Sequence, residues 1–422
     1  MGDLDKSKAF LVSVCLPNNS YEEVESSLAE LERLADTAGI ETVGKFFQSR
    51  KAINNATYLG KGFLEELKVK MEMCDATLLI FDNELSPNQG RNIEKDFGIE
   101  AIDRTEVILH IFNDHAKTRE ARLQVSLATL QYQLPRLKRL WGHLDREKGT
   151  SAGSGGTSRG MGEKQIEVDK RLVRGEITKI KAQLEKLEQV KNTQRKSRDK
   201  IKKVALVGYT NAGKSTLFNR LTNAGVLVED KLFATLDSTV RNYDSGINQP
   251  TILSDTVGFI ANLPHHLVAS FRATLKEVVG ADLLLHVVDF SDRNFEKNIA
   301  EVEKVLKQIG ADSIETLLVL NKIDNVSDYD MGDDELQERF SHGIKISAIN
   351  NVNIEALNNA INDRLHDVEE LDLLMPFSRQ DLIAQVYDMG KVIDREFVDE
   401  GVLFKVILGV EAKKRLEEYI VS

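Results

Sequence analysis

Gly208-Tyr209-Thr210-Asn211-Ala212-Gly213-Lys214-Ser215 is the stretch of sequence that decides the fold of this chain. It follows the apolar run 204–207, which predicts a buried strand, and it opens into residues 216–221, which predict a helix. A strand, a glycine loop and a helix N-terminus in this order place backbone N–H groups around a phosphate. Lys214 is expected to neutralise the β and γ oxygens, and the Ser215 hydroxyl to complete the ligand shell of a Mg²⁺ ion.

A second motif predicts which base the site accepts. Residues 317–320 read as a buried parallel strand and end in Asn321-Lys322-Ile323-Asp324, which arrives 113 residues after Gly208. The carboxylate of Asp324 can accept both guanine N1–H and the exocyclic N2–H₂, an edge that adenine does not present, while the stem of Lys322 can lie along the purine face. The motif therefore predicts GTP and GDP as ligands.

A short apolar run at residues 344–346 precedes the segment expected to brace the base. Ser347 and Ala348 follow that run, and the Ala348 N–H is expected to reach the base carbonyl oxygen.

The residues between these motifs are expected to sense the γ-phosphate. The predicted strand 251–254 ends in Asp255-Thr256-Val257-Gly258, where Asp255 can hold a metal-bound water and the Gly258 N–H can meet the γ-phosphate. Upstream, Phe233-Ala234-Thr235-Leu236-Asp237 offers a loop hydroxyl for the metal, and we favour Thr235 over Thr239.

The predicted activity is GTP hydrolysis, with Mg²⁺ held by Ser215 and Thr235 and with Lys214, Thr235 and Gly258 as the catalytic residues. The predicted nucleotide-binding set comprises Gly208, Tyr209, Thr210, Asn211, Ala212, Gly213, Lys214, Ser215, Thr216, Phe233, Ala234, Thr235, Leu236, Asp237, Asp255, Thr256, Val257, Gly258, Asn321, Lys322, Ile323, Asp324, Ser347, Ala348 and Ile349.

Phe259 stands where many GTPases carry the glutamine that orients the attacking water. A phenyl ring has no group able to do this, which predicts slow intrinsic hydrolysis and a stimulating group supplied by a partner. The alternative is that Phe259 only packs and that a nearby histidine, His265 or His266, positions the water.

The order of these motifs resembles the translation-factor branch of the GTPases, and the flanking residues narrow the likeness. Residues 233–237, 255–260 and Leu263-Pro264-His265 are similar to the HflX family of ribosome-associated GTPases, as are residues 58–62 and 131–137. The resemblance implies a protein that binds the large ribosomal subunit and its RNA, separates stalled or idle ribosomes, and hydrolyses GTP when the ribosome stimulates it.

The distribution of charge points to one basic element in an acidic protein. The net charge is −11, yet residues 134–203 carry +11 and the remainder −22. RNA would be repelled by the acidic part, so contact would fall to this segment. A solvated helix surface is the alternative explanation.

Heptad spacing predicts that the basic segment belongs to an antiparallel pair of helices. The first apolar seam comprises Leu123, Leu127, Leu130, Leu134, Leu137, Trp141 and Leu144, and the second comprises Val173, Ile177, Ile180, Leu184 and Leu187. Pro135 is expected to interrupt the first helix. A glycine-rich loop, 149–162, joins them, either as a plain linker or as an RNA-contacting tip flanked by cations such as Arg159 and Lys164. The family resemblance implies that this tip reaches the peptidyl-transferase region.

The predicted fold is α/β, with four domains. Residues 1–112 form a small α/β unit with a parallel sheet, 113–200 the helical arm, 201–368 the P-loop GTPase domain with a parallel sheet, and 369–422 a small α+β domain. In the last domain, from residue 372, we expect a helix, strand 391–397, strand 402–408 and a second helix, with a hairpin turn at 399–401.

The remaining composition predicts a cytoplasmic protein, with a partial membrane association left open, and we expect it to be a monomer. No apolar run approaches the ~20 residues of a membrane span, and Cys15 and Cys74 are both expected to be core thiols in a reducing compartment. Two alternatives to the ribosomal function stay open: a GTPase switch with a non-ribosomal RNA-processing target, and an RNA-remodelling ATPase or GTPase.

Overall fold

The structure is a computed structural model that describes residues 7–137, 158–196, 201–222, 225, 231–244, 249–261, 264, 267, 275–326, 340, 342–365 and 368–421. Its contacts divide the chain into two compact units. The amino-terminal unit comprises Met1–Asn192, Asp230–Leu236 and Asn262–Phe271, and the carboxy-terminal unit comprises Thr193–Glu229, Asp237–Ala261 and Arg272–Ser422. Within the described ranges, no helix is both long and apolar enough to cross a membrane.

The amino-terminal unit is built on a four-stranded parallel sheet with the order β2-β1-β3-β4. Its elements are β1 (Lys8–Cys15), α1 (Tyr21–Thr37), β2 (Glu41–Ser49), α2 (Lys61–Met73), β3 (Leu78–Phe81), α3 (Pro87–Phe97), β4 (Glu100–Asp103) and α4 (Arg104–His115). Strands β1 and β3 are apolar along almost their whole length because helices cover both faces of a parallel sheet. The predicted parallel α/β layer is confirmed.

Two capping boxes set where helices of this unit begin. Ser20 and Glu23 exchange side-chain-to-backbone hydrogen bonds at the start of α1, and Ser86 and Gln89 do the same at the start of α3. Each box satisfies two backbone donors that the first helical turn leaves without partners. The sequence therefore specifies both helix starts locally.

Helix α5 (Arg119–Gln133) packs on α4 and ends in a 3-10 turn, Leu134–Arg136. The predicted interruption at Pro135 is confirmed, since the α-helix stops two residues before it. The first predicted seam includes only some of the buried residues of α5. Leu127 is buried, but Leu123 and Leu130 are half-buried, because the packing against α4 selects a different set of α5 residues: Ala121, Gln124, Val125, Ala128 and Tyr132. Trp141 and Leu144 lie outside the described residues.

One buried guanidinium ties the end of α5 to the sheet. Arg136 is 6% exposed and donates to the backbone oxygens of Tyr132 (3.0 Å) and Leu85 (2.7 Å). It also donates to the carboxylates of Glu84 (3.1 Å) and Asp103 (3.5 Å) and lies 3.7 Å from the centre of the Tyr132 ring. Burial raises the pKa of Asp103, and the positive charge of Arg136 opposes that rise. Arg136 therefore compensates a carboxylate that has almost no contact with water.

The long helix α6 (Ser158–Lys196) carries the second predicted seam. Val173, Ile177, Leu184 and Leu187 are half-buried and Ile180 is only 8% exposed, whereas Leu172, off the seam, is 61% exposed. These residues therefore share the less exposed face of α6, and the antiparallel pairing of the two seams stays a prediction. The predicted end of the loop 149–162 is wrong, because α6 already begins at Ser158. Extending a helix costs less free energy than nucleating one, so the strong helix formers after Gly162 allow the helix to extend toward the N-terminus through the glycines. Residues 149–157 and the side chains of Arg159 and Lys164 lie outside the described residues.

The carboxy-terminal unit contains a six-stranded sheet with the order β10-β9-β8-β5-β7-β6, parallel except for β6. Its elements are β5 (Lys202–Val207), α7 (Lys214–Thr222), β6 (Thr239–Tyr243), β7 (Thr251–Asp255), α8 (Lys276–Val279), β8 (Leu283–Asp289), α9 (Phe295–Ile309), β9 (Thr316–Asn321), a 3-10 turn (Ile323–Asn325), β10 (Ile344–Lys345) and α10 (Ile354–Leu365). The predicted strands before residues 208, 255, 321 and 347 are all present. Their carboxyl ends therefore bring the four motifs to one edge of the sheet.

The same unit ends in an antiparallel sheet with the order β12-β13-β11-β14. It comprises β11 (Val368–Met375), α11 (Gln380–Met389), β12 (Gly390–Val398), β13 (Gly401–Gly409), α12 (Val410–Leu416), a 3-10 turn (Glu417–Tyr419) and β14 (Ile420–Val421). The predicted hairpin and helices are present, but the helix expected from residue 372 is wrong at its start. Residues 368–375 form a central strand because β13 pairs with them along their whole length.

The two cysteines differ in their surroundings. Cys15 is buried at the end of β1, as predicted, but Cys74 is exposed and that prediction is wrong. Cys74 caps the end of α2. Met71 is the last buried residue of that helix and Met73 is 80% exposed, so the chain has left the core before it reaches the thiol.

Replacing Arg136 by Met should destabilise the amino-terminal unit by about 3–5 kcal/mol, because it leaves the Asp103 carboxylate buried without its charge partner. Thermal and urea unfolding of the full chain measure this loss. Arg33→Met, on the exposed side of α1, is the matched control and should stay within about 0.5 kcal/mol of wild type. Equal stability of the two variants would contradict the bridging role of Arg136.

Candidate nucleotide site

Two glycines shape the loop between β5 and α7. Gly208 has φ +151°, and a Cβ there would lie 2.1 Å from the Val287 carbonyl oxygen of the neighbouring strand β8. Gly213 has φ +89°, and a Cβ there would lie 2.3 Å from Nδ2 of Asn321. Both the conformation and the close approach exclude other residues. The loop can therefore wrap tightly enough for its N–H groups to converge on a phosphate.

Lys214 is buried at the first turn of α7 and is aimed back along the loop. Its Nζ donates to the carbonyl oxygens of Gly208 (3.1 Å) and Tyr209 (2.7 Å), and its residue exposure is 6%. Burial lowers the pKa of Lys214 to about 8, although the negative charge of Asp255 opposes the shift. A phosphate would add to the negative charge of Asp255 and favour the charged form of this buried amine.

Ser215 and Asp255 place two oxygen atoms side by side at the same edge. The Ser215 hydroxyl donates to Oδ2 of Asp255 over 2.7 Å, and Asp255 is completely buried. A hydroxyl and a carboxylate fit Mg²⁺, which prefers oxygen ligands and keeps several waters. Within the described part of the chain, no group of three or more His, Cys, Asp and Glu side chains could hold a metal. The Ser215 hydroxyl and the Asp255 carboxylate would be oxygen ligands, direct or through water, for a magnesium ion here.

The segment after Asp255 is bonded directly to the phosphate loop. Thr210 N–H donates to Phe259 O (2.7 Å), Phe259 N–H donates to Gly208 O (3.1 Å), and Ala261 N–H donates to the Tyr209 hydroxyl (2.6 Å). A Cβ on Gly258 would lie 3.0 Å from Lys214 Nζ. The predicted γ-phosphate sensor thus lies against the predicted phosphate ligand.

Phe259 is 3% exposed, so its ring packs in the core. His265 and His266, the alternative water-positioning residues, lie outside the described residues.

The base-reading motif is held by Asn321 at the end of β9. Its Nδ2 donates to Ala212 O (2.9 Å), and its Oδ1 accepts from Ala348 N–H (3.0 Å). The N–H predicted to contact the base is therefore bonded to Asn321, and a base carbonyl must share or displace that bond. Arg220 of α7 adds a second link by donating to the carbonyl oxygens of Ala348 (3.2 Å) and Ile349 (2.8 Å).

Lys322 and Asp324 differ in how firmly they are held. Lys322 has φ +66°, and its Nζ forms an ion pair with Asp289 at 2.7 Å, which fixes the direction of its stem. Asp324 is exposed. A bound base would remove the Asp324 carboxylate from water. A base that does not donate to this carboxylate would leave it without hydrogen bonds, and that desolvation penalty would lower the affinity for the wrong base.

Most of the predicted site residues belong to the carboxy-terminal unit. They are residues 208–216, Asp237, and residues 255–258, 321–324 and 347–349. Phe233, Ala234, Thr235 and Leu236 instead belong to the amino-terminal unit. This division was not anticipated, and its cause is the packing of Phe233 on α4.

Sequence reasoning missed three residues around the loop. Arg220 and Asp289 gave no motif signal, since each acts on a partner far along the chain. His286 in β8 is 2% exposed, and burial together with the positive charge of Lys214 lowers its pKa to about 4. It is therefore neutral at physiological pH and adds no charge beside Lys214.

Three protein-family models match the chain. One is described as GTP-binding GTPase N-terminal and matches residues 25–113, a second as GTP-binding GTPase Middle Region at 115–198, and a third as 50S ribosome-binding GTPase at 203–322. The GTPase HflX of Caldanaerobacter subterraneus subsp. tengcongensis is 44% identical over 421 residues, which cover 99% of this chain and 95% of that protein. The chain belongs to the HflX family of GTPases. The GTPase HflX of Escherichia coli K12 is 43% identical and covers 88% of this chain and 87% of its own length.

Among solved structures, a GTP-binding protein from the archaeon Sulfolobus solfataricus in complex with GDP is 26% identical to this HflX chain. The match covers 85% of this chain and 98% of the archaeal one, with a TM-score of 0.44. Family membership confirms the predicted P-loop GTPase fold, GTP and GDP as ligands, and GTP hydrolysis as the activity. The roles assigned to individual residues stay predictions.

The affinity of this HflX protein for triphosphate should fall as the pH rises above about 8. Below that pH the Lys214 ammonium is charged and can pair with phosphate; above it the nucleotide-free protein holds a neutral amine, and binding must recruit a proton. Affinity should be constant from about pH 6.5 to 7.5 and then fall by up to about tenfold per pH unit. Titration with a non-hydrolysable GTP analogue at constant ionic strength, up to about pH 9, measures this.

Lys214→Arg provides the control, because a guanidinium stays charged throughout this range. Its residual affinity should not vary with pH. A wild-type affinity that also stays constant to about pH 9 would show that Lys214 does not titrate as its burial requires.

Proposed function

We propose that this HflX protein binds the large ribosomal subunit and its RNA in the GTP state, separates stalled or idle ribosomes, and is released after hydrolysis that the ribosome stimulates. The observation that carries the proposal is the match of residues 203–322 to a family of 50S ribosome-binding GTPases. The +11 charge of residues 134–203 in a chain of net charge −11 supports it, because phosphate-rich RNA would select that segment.

The nucleotide site supports a role as a switch. Lys214 and the Gly258 N–H would hold the γ-phosphate, Asp324 would read guanine, and Ser215 and Thr235 would hold Mg²⁺, which would neutralise charge on the phosphates. Gly258 lies against both Thr210 and Lys214. The presence or absence of one phosphoryl group therefore acts directly on the segment 255–261, the kind of change that orders or releases a switch segment.

Phe259 supports a requirement for a partner in hydrolysis. Its ring is buried and both its backbone polar groups are bonded to the phosphate loop, so it offers no group to the attacking water. Stimulation by the ribosome would supply what this residue lacks. We further propose that the protein acts in the cytoplasm as a monomer.

Co-sedimentation with purified large subunits tests the proposal. Wild type should sediment with a non-hydrolysable GTP analogue and remain in the supernatant with GDP. Reversing charge at Arg159 and Lys164 should weaken sedimentation and flatten its salt dependence by about one unit of slope per lost contact, without changing nucleotide affinity. Lys68→Glu, on the exposed face of α2, is the matched charge reversal and should sediment normally.

Asp324→Asn links the effect to this nucleotide site. An amide can donate to the N2-position carbonyl of xanthine, so this variant should sediment with a xanthosine triphosphate analogue and lose its response to the GTP analogue. Absence of sedimentation with large subunits in every nucleotide state would contradict the proposal. It would favour a non-ribosomal RNA target or an RNA-remodelling activity.

A further inference from the structure

The loop that carries Thr235 is anchored by the amino-terminal unit. The segment Asp230–Leu236 is grouped with that unit, whereas Asp237 and the phosphate loop are grouped with the carboxy-terminal unit. Leu232, Phe233 and Leu236 are 4%, 3% and 2% exposed, so three apolar side chains of this short segment are removed from water. Phe233 and Leu236 lie on either side of Thr235 in sequence and fix the chain before and after it.

Two side chains of helix α4 contact Phe233. The Phe233 ring lies edge-on to that of Phe112, with centroids 4.7 Å apart and an interplanar angle of 78°. His115, the last residue of α4, donates from Nδ1 to the Phe233 carbonyl oxygen over 2.9 Å. Phe112 and His115 are three residues apart and so share one face of the helix. We call these two residues the Phe233 anchor.

The backbone of the loop shows that the anchor holds a specific conformation. Phe233 has φ +57°, a left-handed conformation that is unfavourable for a bulky side chain and persists only where the surroundings enforce it. The neighbouring Leu232 N–H donates to the Thr37 hydroxyl at 3.4 Å, which adds a contact from α1. Residues of the amino-terminal unit therefore contact the Phe233 ring, the Phe233 carbonyl oxygen and the Leu232 N–H.

We infer that Phe112 and His115 are positioning residues for Thr235, and that they strengthen the preference of this protein for GTP over GDP. The inference rests on the proposed role of Thr235 as a ligand of Mg²⁺. A loop that is already ordered loses less conformational entropy when its hydroxyl engages the metal, so anchoring strengthens triphosphate binding. GDP, which lacks the γ-phosphate that orders such loops, gains little from it.

The test uses the full-length protein and titrates a non-hydrolysable GTP analogue and GDP, each with Mg²⁺. His115→Ala removes one hydrogen bond and should weaken analogue binding about fivefold, while GDP affinity should stay within about twofold. His115→Asn should restore analogue binding, because the Asn amide N–H can take the place of the Nδ1–H.

Phe112→Leu, which removes the ring contact, should reproduce the selective loss. Phe97→Leu is its matched control, because Phe97 packs in the cluster beneath α3, which does not include Phe112 or Phe233. It should leave both affinities unchanged.

Hydrogen exchange gives a readout independent of nucleotide. In the nucleotide-free protein, His115→Ala should speed exchange in a peptide spanning residues 231–236, and His115→Asn should not. Thr235→Ala tests the metal role of Thr235 separately from the positioning role of Phe112 and His115. If it leaves analogue affinity and Mg²⁺ dependence unchanged, the metal role of Thr235 fails. If Thr235→Ala weakens analogue binding while His115→Ala and Phe112→Leu leave it unchanged or strengthen it, the positioning inference is overturned.

Discussion

The side-chain amide of Asn321 is the contact on which the nucleotide site depends. It is 2% exposed, donates to the phosphate loop at Ala212 and accepts from the base-bracing loop at Ala348. The absence of a Cβ at Gly213 is what allows the amide to approach so closely. Two loops that arise from different strands are therefore held as one rigid piece, and a ligand that spans both pays little to order either.

A buried charge arrangement makes the phosphate end of this piece responsive. Lys214, Ser215 and Asp255 are held at the carboxyl ends of β5 and β7, where parallel strands meet at one edge. The ammonium has carbonyl oxygens as its hydrogen-bond partners and Asp255 as its opposing charge. Because the low polarity of the interior strengthens electrostatic effects, adding or removing one phosphoryl group should have a large effect on Gly258 and Phe259. This is the physical basis for a switch at this position.

The parts of the fold that local sequence determines were predictable. Strands β5 and β9 contain apolar runs that lead into motif residues, β7 ends in the motif residue Asp255, and the backbone requires glycine at positions 208 and 213. Residues 368–375 were not recognised as a strand, because apolar and acidic residues intermix there in a way that also suits a helix. Pairing with β13 decides the outcome, and that partner lies more than 25 residues further along the chain.

In the nucleotide site, too, the sequence predicts the motif residues but not the contacts between distant parts of the chain. Motifs located the phosphate loop, the Asp255–Gly258 segment and the Asn321–Asp324 segment, because spacing along the chain carries that information. They did not reveal that Arg220 and Asp289 support the base-reading segment, or that His115 binds Phe233 across 118 residues of sequence. Those contacts exist only once the chain has folded, and no periodicity records them.

The GDP affinity of Asn321→Ala shows whether one amide joins the phosphate and base loops into a single site. We predict a loss of about thirtyfold or more, because two buried hydrogen bonds disappear and their backbone partners are left without a donor or an acceptor. The thermal unfolding midpoint should be measured alongside, to show that the variant is folded. A folded Asn321→Ala protein that binds GDP within about twofold of wild type would contradict the claim.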